Sequence, residues 1–287
     1  MKLLKGKKIA DKILTVLEKK IKKLFQKPCL AVILVGNDLA SDLYIRLKKK
    51  AAKKIGIKFQ LFRFSVKVKE VEIIQKIKKL NADKKISGII VQLPLPGNLN
   101  TQRIINALDP RKDVDGFHPE NIKLFLEKQA RFFPVFPQAI MEILKSSRAK
   151  LKGKKSLVIA NSKIFGETMV VALENKRIKA SYFLFKELKN KRDLIKKTEI
   201  IVSAIGCPGF LRGEMLKKGA LVVDGGITKK EKKILGDIDY SSAKKIVSFL
   251  TPVPGGVGPV TIACLLRNTY KAAEEASLKR LSRKCKA

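Results

Sequence analysis

Residues 30–56 have the sequence LAVILVGNDLASDLYIRLKKKAAKKIG, and this stretch decides the fold. The apolar run at residues 30–35 has the length of a strand that is buried on both faces. A helix is predicted to follow it, with Asp38 or Ser41 as the N-cap and Gly56 beyond the C-terminus. The stretch therefore predicts one strand–helix repeat of a parallel α/β sheet.

Outward from this stretch, apolar runs of similar length alternate with lysine-rich amphipathic segments. This alternation predicts that both halves of the chain are α/β. Strands in the first half are expected at residues 30–35, 58–64 and 86–92. Strands in the second half are expected at residues 156–160, 179–185, 200–204, 220–224 and 246–249.

The length of 287 residues favours two domains. Prolines at positions 119, 134 and 137 interrupt the alternation, so the boundary is expected within residues 116–140. A lysine-rich helix at residues 260–280 follows the loop TPVPGG, and from its sequence alone it could pack on either domain.

The net charge of +38 suggests contact with anionic molecules. The lysines are spread over nearly every helical segment, however, and do not form one stripe interleaved with aromatic residues. This spread favours a general bias in composition over a dedicated nucleic-acid surface. The charge should help to gather anionic substrates, and non-specific nucleic-acid binding is expected at low salt.

Hydrophobic residues make up 45% of the chain, which is enough to build cores. No apolar run approaches the roughly 18 residues of a membrane span, and the N-terminus lacks the features of a signal peptide. The cysteines are far apart in sequence, which predicts reduced thiols and neither a zinc site nor a redox pair. We therefore expect a soluble cytoplasmic protein without a metal. The cysteines are Cys29, Cys207, Cys264 and Cys285.

Four residues are candidates for chemistry. Tyr44 and Lys48 are four positions apart, so they share one face of the helix that follows the first strand. Gln92 closes the apolar run GIIVQ, and Asp115 lies in the acidic turn KDVDGF. A lysine that is shielded from water beside a tyrosine and an amide can act as a base near neutral pH. The alternatives are a solvated lysine run for Lys48 and an Asx turn for Asp115.

Eight segments, in this order, resemble the bifunctional methylenetetrahydrofolate dehydrogenase/cyclohydrolase family, and together they cover nearly the whole chain. TPVPGGVGP and VQLPLP are specific to that family. The resemblance implies an N-terminal three-layer α/β catalytic domain at residues 1–120, with helix 260–280 packed back on it, and a Rossmann-type dinucleotide-binding domain at residues 121–259. The segments are SDLYIRLK, GIIVQLPLP, KDVDGFHP, KGKKSLVIANSKIFG, SAIGCPGF, GALVVDGGI, GDIDY and TPVPGGVGPVT.

The resemblance also implies roles for residues. Lys48 corresponds to the acid/base, Gln92 sets its protonation, Tyr44 stacks near the pterin and Asp115 holds the pterin ring. The implied reactions of one-carbon metabolism, which feeds purine biosynthesis, are oxidation of methylenetetrahydrofolate and hydrolysis of the methenyl product to formyltetrahydrofolate. Family relatives are homodimers. The implied substrate-binding residues are Ser41, Tyr44, Asp115, Pro254 and Gly255.

The implied cofactor is NADP, with NAD as the alternative. Relatives carry Gly-Arg-Ser where this chain has Ala160, Asn161 and Ser162, so the arginine that can pair with the extra phosphate of NADP is missing. An acidic Glu187 near the end of the next strand favours the ribose hydroxyls of NAD, whereas Lys163 or Lys186 could replace the lost charge. The implied cofactor-binding residues are Ala160, Asn161, Ser162, Glu187, Ala204, Gly206 and Ile227.

Two competing functions remain open from the sequence. The first is a cyclohydrolase with lost or weakened dehydrogenase activity, which Ala160 and Asn161 suggest. The second is a basic nucleic-acid-binding protein built on the same fold, which only the net charge suggests. His118, the one histidine, is interpreted as a polar loop residue because Lys48 already fills the role of a base.

Overall fold

The computed structural model describes residues 1–188, 191–230 and 233–284, except for the side chains at positions 39, 40 and 279–284. Two short 3-10 turns, Phe185–Glu187 and Gly213–Met215, accompany the strands and α-helices. The strands are β1 (Lys2–Leu3), β2 (Cys29–Val35), β3 (Lys58–Phe64), β4 (Gly88–Val91), β5 (Lys155–Ala160), β6 (Lys179–Leu184), β7 (Ile200–Ala204), β8 (Leu221–Asp224), β9 (Thr228–Lys230), β10 (Lys233–Leu235) and β11 (Phe249–Leu250). The helices are α1 (Gly6–Lys22), α2 (Leu39–Lys54), α3 (Glu70–Ala82), α4 (Thr101–Asn106), α5 (Pro119–Leu126), α6 (Val135–Ser146), α7 (Lys163–Glu174), α8 (Arg192–Lys197), α9 (Tyr240–Ala243) and α10 (Val257–Lys284).

The chain forms two compact units, which we name after their sheets. The three-stranded unit comprises Asp11–Val135 and Ile262–Ala287. The six-stranded unit comprises Met1–Ala10 and Phe136–Thr261. The predicted two-part α/β fold with parallel sheets is confirmed.

The three-stranded sheet has the order β3-β2-β4, and both of its pairings are parallel. All seven residues of β2 are buried. Because successive side chains of a strand point to opposite faces, this burial means that both faces of the sheet are covered, which makes three layers. On one face, Ala31, Ile33 and Val35 of β2 pack in a cluster with Ile73 and Ile77 of α3.

The six-stranded sheet has the order β1-β11-β8-β7-β5-β6, and every pairing is parallel. The chain passes from β5 to β6 on one side and then to β7 on the other side of β5. This reversal creates a topological switch point, where open α/β sheets bind ligands at the carboxyl ends of their strands. In the three-stranded sheet, β2 lies between β3 and β4 and creates a second such point.

Seven of the eight predicted strands agree with the structure to within two residues at either end. The prediction of a strand at residues 246–249 is wrong, because the last strand is Phe249–Leu250. The backbone N–H groups of Ile246 and Val247 both donate to the carbonyl of Ala243, so these residues complete a helical turn before the strand begins.

The C-terminal helix begins at Val257, three residues before the predicted start, and is described to Lys284. Pro259 lies within its first turn. A proline is tolerated there because the N–H that it lacks would have no partner inside the helix. The described helices include none that is long and apolar enough to span a membrane.

The predicted domains, 1–120 with 260–280 and 121–259, differ from the observed grouping at residues 1–10, 121–135 and 260–261. Residues 1–10 group with the six-stranded unit because β1 pairs with β11, with Lys2 opposite Phe249 and Leu3 opposite Leu250. Residues 121–135 group with the three-stranded unit, where Asn121 donates a hydrogen bond to Asp113 at 2.9 Å.

Lys112 closes the C-terminal end of α3. Its ammonium group donates to the carbonyls of Leu80, Asn81 and Asp83 at 3.0, 2.8 and 2.7 Å. These carbonyls lie at the end of the helix, where a cation is favourable and the backbone acceptors lack helical partners. Lys112 thereby anchors the segment that continues into Asp113.

We expect Lys112→Met to destabilise the protein by about 2 kcal/mol, because the substitution removes a charged donor from three carbonyls. Calorimetry should record a melting temperature that is lower by roughly 5 °C. Lys78→Met, at an exposed position of α3, is the matched control and should change it little. Equal melting temperatures for the two variants would show that the cap contributes nothing.

Candidate active site

The switch point of the three-stranded sheet brings Lys48 and Gln92 together. Lys48 lies on α2, which follows β2, and Gln92 directly follows β4. The Lys48 ammonium donates to the Gln92 side-chain oxygen at 2.8 Å. The Gln92 amide nitrogen in turn donates to the carbonyl of Leu93 at 2.8 Å, which fixes the orientation of its side chain. Both side chains are half-buried.

One face of α2 carries three of the predicted residues. Ser41 is buried, while Tyr44 and Lys48 follow at three- and four-residue intervals and are half-buried. This spacing stacks the three side chains along the helix. Of the two candidate caps, the structure uses Asp38, whose carboxylate accepts from the backbone N–H of Ser41 at 2.7 Å.

The turn at residues 113–116, which carries Asp115, is attached to β4 through Asp113. Asp113 forms a parallel bridge with Ile89 of β4, and the N–H of Ile89 donates to the carbonyl of Lys112 at 2.7 Å. The bridge is a single pair, and the chain bends at residues 114 and 115. Asp115 lies close enough to Lys48 for the two charged groups to influence each other.

Asp113, and not Asp115, makes the polar turn. The carboxylate of Asp113 accepts from the N–H groups of Gly116 and His118 at 3.1 and 2.7 Å, and from the Asn121 side chain at 2.9 Å. The carboxylate that bonds to the backbone of the turn, which the Asx-turn interpretation assigned to Asp115, is thus that of the buried Asp113. Asp115 is half-buried and is not used to fold the turn.

The electrostatics of the site favour groups that titrate readily. Burial lowers the pKa of the Lys48 ammonium from its ordinary value, and the nearby Asp115 carboxylate opposes that shift. Burial raises the pKa of Asp115 to about 6, with Lys48 acting to lower it and Asp113 to raise it. Burial also raises the pKa of the Tyr44 hydroxyl. Groups with perturbed pKa values that meet at a sheet edge are typical of active sites.

His118 has a structural place in this unit. Its side-chain nitrogen Nδ1 accepts from the backbone N–H of Glu120 at 3.2 Å, which makes it the N-cap of α5. Cys29, Cys207 and Cys264 are not joined in disulfides, and Cys285 lies outside the described residues. Among the described residues, no three His, Cys, Asp or Glu side chains come together as metal ligands would.

The switch point of the six-stranded sheet brings together two predicted cofactor segments. Ala160 ends β5 and is the register partner of Ala204, which ends β7. The Asn161 amide donates to the carbonyl of Ile205 and so joins the two loops that follow these strands. The Ser162 hydroxyl accepts from the N–H of Phe165 at 3.1 Å and caps α7. The N-terminus of α7 thus lies at the carboxyl edge of the sheet, which is an arrangement typical of phosphate-binding sites.

The other predicted cofactor residues lie around this edge in different states. Gly206 adopts a φ of +69°, and its carbonyl accepts from the Thr228 hydroxyl at 3.0 Å. The Glu187 carboxylate accepts from the N–H of Leu184 at 2.9 Å, so it stabilises the turn after β6. Ile227 is exposed.

Pro254 and Gly255, the predicted substrate loop, belong to the six-stranded unit. The carbonyl of Gly255 accepts from the N–H of Gly6 at 2.9 Å. A Cβ atom at Gly6 would lie only 1.7 Å from the carbonyl oxygen of Gly256, so the loop and the start of α1 are packed backbone to backbone. Contact between this loop and the substrate remains a prediction.

The sequence interpretation missed two buried carboxylates that hold the cofactor loops. Asp237 accepts from the Ser203 hydroxyl at 2.8 Å and from the N–H groups of Ile205 and Cys207, both at 2.9 Å. Asp224 accepts from the N–H groups of Gly226, Asp237 and Ile238, each at 3.0 Å. Burial raises the pKa of Asp224 to about 7.

A sequence signal for this pair exists, because glycines flank both carboxylates in VVDGGI and LGDID. A Cβ atom at Gly226 would lie 2.1 Å from the Asp237 carboxylate, and one at Gly236 would lie 2.1 Å from that of Asp224. The Asp237 carboxylate therefore fills the space that a side chain at Gly226 would need, and the Asp224 carboxylate fills the space that a side chain at Gly236 would need. Such reciprocal Asp–Gly pairs indicate closely packed loops.

Comparison with known proteins gives consistent matches over the whole chain. Residues 4–115 match the catalytic domain of the tetrahydrofolate dehydrogenase/cyclohydrolase family, and residues 134–277 match its NAD(P)-binding domain. The bifunctional protein FolD of Acetivibrio thermocellus is 42% identical over 279 residues, which are 95% of this chain and 97% of that protein.

Solved structures agree with these matches. The bifunctional FolD enzyme of Campylobacter jejuni has a TM-score of 0.91 and 39% identity, and the match covers 96% of this chain and 99% of that one. The Trypanosoma brucei FolD, solved with NADP and an inhibitor, has a TM-score of 0.90 and 29% identity over 96% of this chain and 97% of its own. With both domains matched in order and such identity over nearly all residues, the chain belongs to the tetrahydrofolate dehydrogenase/cyclohydrolase family.

Proposed function

We propose that Lys48, Tyr44, Gln92 and Asp115 form the active site for both reactions of this family. The chain is a bifunctional enzyme that oxidises methylenetetrahydrofolate with NAD(P) and hydrolyses the methenyl product to formyltetrahydrofolate. The observation that carries the assignment is the 2.8 Å hydrogen bond between Lys48 and Gln92, beside Asp115, with the pKa of Lys48 lowered by burial.

Each residue has a role that suits its environment. The Asp115 carboxylate can accept hydrogen bonds from the N–H groups of the pterin, which orients the substrate. Tyr44 offers an aromatic face one helical turn before Lys48, and Ser41 lies about one turn before Tyr44 in α2. Gln92 holds the Lys48 amine in place without adding a charge, so burial can keep the pKa of Lys48 low.

The cofactor fits the edge of the six-stranded sheet. The N-terminus of α7, capped by Ser162, and the backbone of Ala160 and Gly206 are suited to a dinucleotide phosphate. NADP is the cofactor that the family supports, and when bound it supplies the hydride acceptor. Asn161 carries no charge for the extra phosphate, and its amide is already bonded to Ile205.

The hydrolysis depends on proton transfer by Lys48. Water adds to the methenyl cation and loses one proton, which leaves a neutral hydroxyl adduct. As the C–N bond of this adduct breaks, the hydroxyl gives up its second proton to form the formyl C=O, and the leaving nitrogen takes up one proton. A lysine whose pKa is lowered can accept the first proton and deliver it to the leaving nitrogen, while the second is released to solvent. Asp115 keeps the pterin and the lysine in register during both steps.

Substitution of Lys48 tests the assignment of the base. Lys48→Met should lower kcat of the cyclohydrolase reaction by at least about 100-fold, because among the described residues Lys48 is the amine that donates to Gln92. The decay of methenyltetrahydrofolate absorbance measures the rate. Lys49→Met, at the next and exposed position of α2, is the control and should keep wild-type activity. A Lys48→Met enzyme with wild-type turnover would refute the role.

The pH dependence tests Asp115. Because its pKa is raised to about 6, Asp115 is protonated below that pH and loses the charge that holds the substrate. We expect kcat/KM for methenyltetrahydrofolate to fall as the pH drops through about 6. Asp115→Asn should give a low value of kcat/KM without that acid limb. An unchanged acid limb in this variant would assign the titration to another group.

Asp237 tests the cofactor side as a positioning residue. Asp237→Asn replaces one acceptor oxygen by an NH2 group that must face the N–H of Ile205 or Cys207. We expect KM for NADP to rise about tenfold while hydrolysis of supplied methenyltetrahydrofolate stays within about twofold. Asp239→Asn is the control, since asparagine caps α9 as well as aspartate does. Equal KM values for the two variants would exclude the role.

We further propose that the enzyme is a cytoplasmic homodimer. Cys29, Cys207 and Cys264 form no disulfide, which suits a reducing compartment, and the family resemblance implies a dimer. Sedimentation velocity on the full chain would test the dimer, and a monomer at micromolar concentration would contradict it. Fractionation of the source cells would test the location, and recovery of the protein outside the cytoplasm would contradict it.

A further inference from the structure

Asn268 is a fully buried amide in the middle of α10. Its Nδ2 group donates to the carbonyl of Val114 at 3.0 Å and to that of Phe133 at 3.0 Å. Both amide protons therefore leave the helix and hold two other segments of the three-stranded unit. One of these carbonyls belongs to the residue directly before Asp115.

The turn around Asp115 is held by packing contacts and hydrogen bonds on both sides of Asp115. The side chain of Val114 packs so closely on Gly88 of β4 that a Cβ atom there would lie 2.6 Å from it. The carbonyl of Asp115 accepts from the N–H of Val135 at 3.1 Å. Gly116 has a φ of +81°, and a Cβ atom on it would lie 2.9 Å from the Cα atom of Pro134.

These contacts make the turn and residues 132–135 a single packed layer. Asn268 is the side chain that joins both parts of this layer, since one of its protons goes to each. With the backbone of Asp115 fixed on both sides, only the side-chain torsions of Asp115 remain to adjust its carboxylate. The position of Asp115 relative to Lys48 thus depends on α10, more than 150 residues away in sequence.

Stability alone is a weak reason for an amide at this position. Asparagine is a poor helix former, and the Oδ1 atom of Asn268 is buried without a hydrogen-bond partner among the described residues. The next residue, Thr269, is equally buried but returns its hydroxyl to the carbonyl of Leu265 in the same helix. The Thr269 hydroxyl thus bonds within its own helix, whereas the Asn268 amide bonds to the turn that carries Asp115.

We propose that Asn268 is a positioning residue for folate chemistry, which holds the carbonyls of Val114 and Phe133 so that Asp115 faces the substrate and Lys48. This inference rests on the proposed role of Asp115. It adds the C-terminal helix to the active site as a support that touches neither substrate nor cofactor.

The test uses the full-length enzyme and volume-matched variants. Asn268→Leu removes both donors, and Thr269→Val removes the neighbouring hydroxyl at the same depth of burial. Asn268→Ser keeps one shorter donor and serves if the leucine variant does not fold. For each protein, kcat and KM for methenyltetrahydrofolate are measured across pH, together with KM for NADP and the melting temperature.

We expect Asn268→Leu to lower kcat/KM for methenyltetrahydrofolate by about 10- to 100-fold, because a shift of about 1 Å in a catalytic contact has effects of this size. KM for NADP should stay within about twofold. The acid limb should move to higher pH. A displaced Asp115 interacts less with the Lys48 ammonium, which lowers its pKa, so the pKa-raising effect of Asp113 weighs more. For Asn268→Ser, both kcat/KM and the midpoint of the acid limb should lie between those of the wild type and those of Asn268→Leu.

Two results would overturn the inference. One is a folded Asn268 variant with the wild-type acid limb and kcat/KM. The other is a Thr269→Val enzyme with the same kinetic losses, because the effect would then come from helix stability alone. A wild-type enzyme without cyclohydrolase activity would instead contradict the proposed function itself, so the two failures are distinguishable.

Discussion

The ammonium group of Lys48 has to be shielded from bulk water and still have a hydrogen-bond partner, and the proposed active site depends on both conditions. Gln92 supplies an amide oxygen at 2.8 Å, which orients the lysine without a full negative charge. A carboxylate at that distance would hold the proton firmly and raise the pKa of the lysine. Asp115 instead acts through its electrostatic interaction, and its own pKa is raised to about 6. The proposed site therefore combines a lysine that can exchange a proton with a carboxylate whose charge depends on pH near 6.

In both units, the loops at the switch point have to be polar enough to bind ligands and must also be well ordered. In each, a buried carboxylate that is not proposed to touch the ligand fixes the backbone. Asp113 does so for the turn at residues 113–116, and Asp237 does so for the loop at residues 203–207. Their hydrogen bonds to backbone N–H groups offset the cost of burying charge. Residues such as Asp115 and Gly206 are then available for binding.

The sequence predicted the fold class and the positions of Tyr44 and Lys48 on one helix and of Gln92 at a strand end. These features could be predicted because helical spacing and the ends of apolar runs depend on local periodicity. The sequence was insufficient where long-range contacts decide. The pairing of Lys2 and Leu3 with β11 joins the two ends of the chain, and a two-residue strand has no periodicity to detect. The role of Asp113 depends on Asn121 and on a bridge to β4, and that of Asn268 depends on carbonyls far away in sequence. The strand at Phe249–Leu250 was misplaced because the preceding apolar residues finish a helical turn.

The most direct test of this account is the titration of Lys48 itself. In protein labelled with carbon-13 at the lysine ε-position, the Lys48 resonance can be assigned by its loss in Lys48→Arg and followed with pH. The account predicts a midpoint below the ordinary lysine value of 10.5, and a lower one still in Asp115→Asn, because the Asp115 carboxylate raises the pKa of the lysine. A Lys48 that titrates with the surface lysines, unaffected by Asp115→Asn, would contradict it.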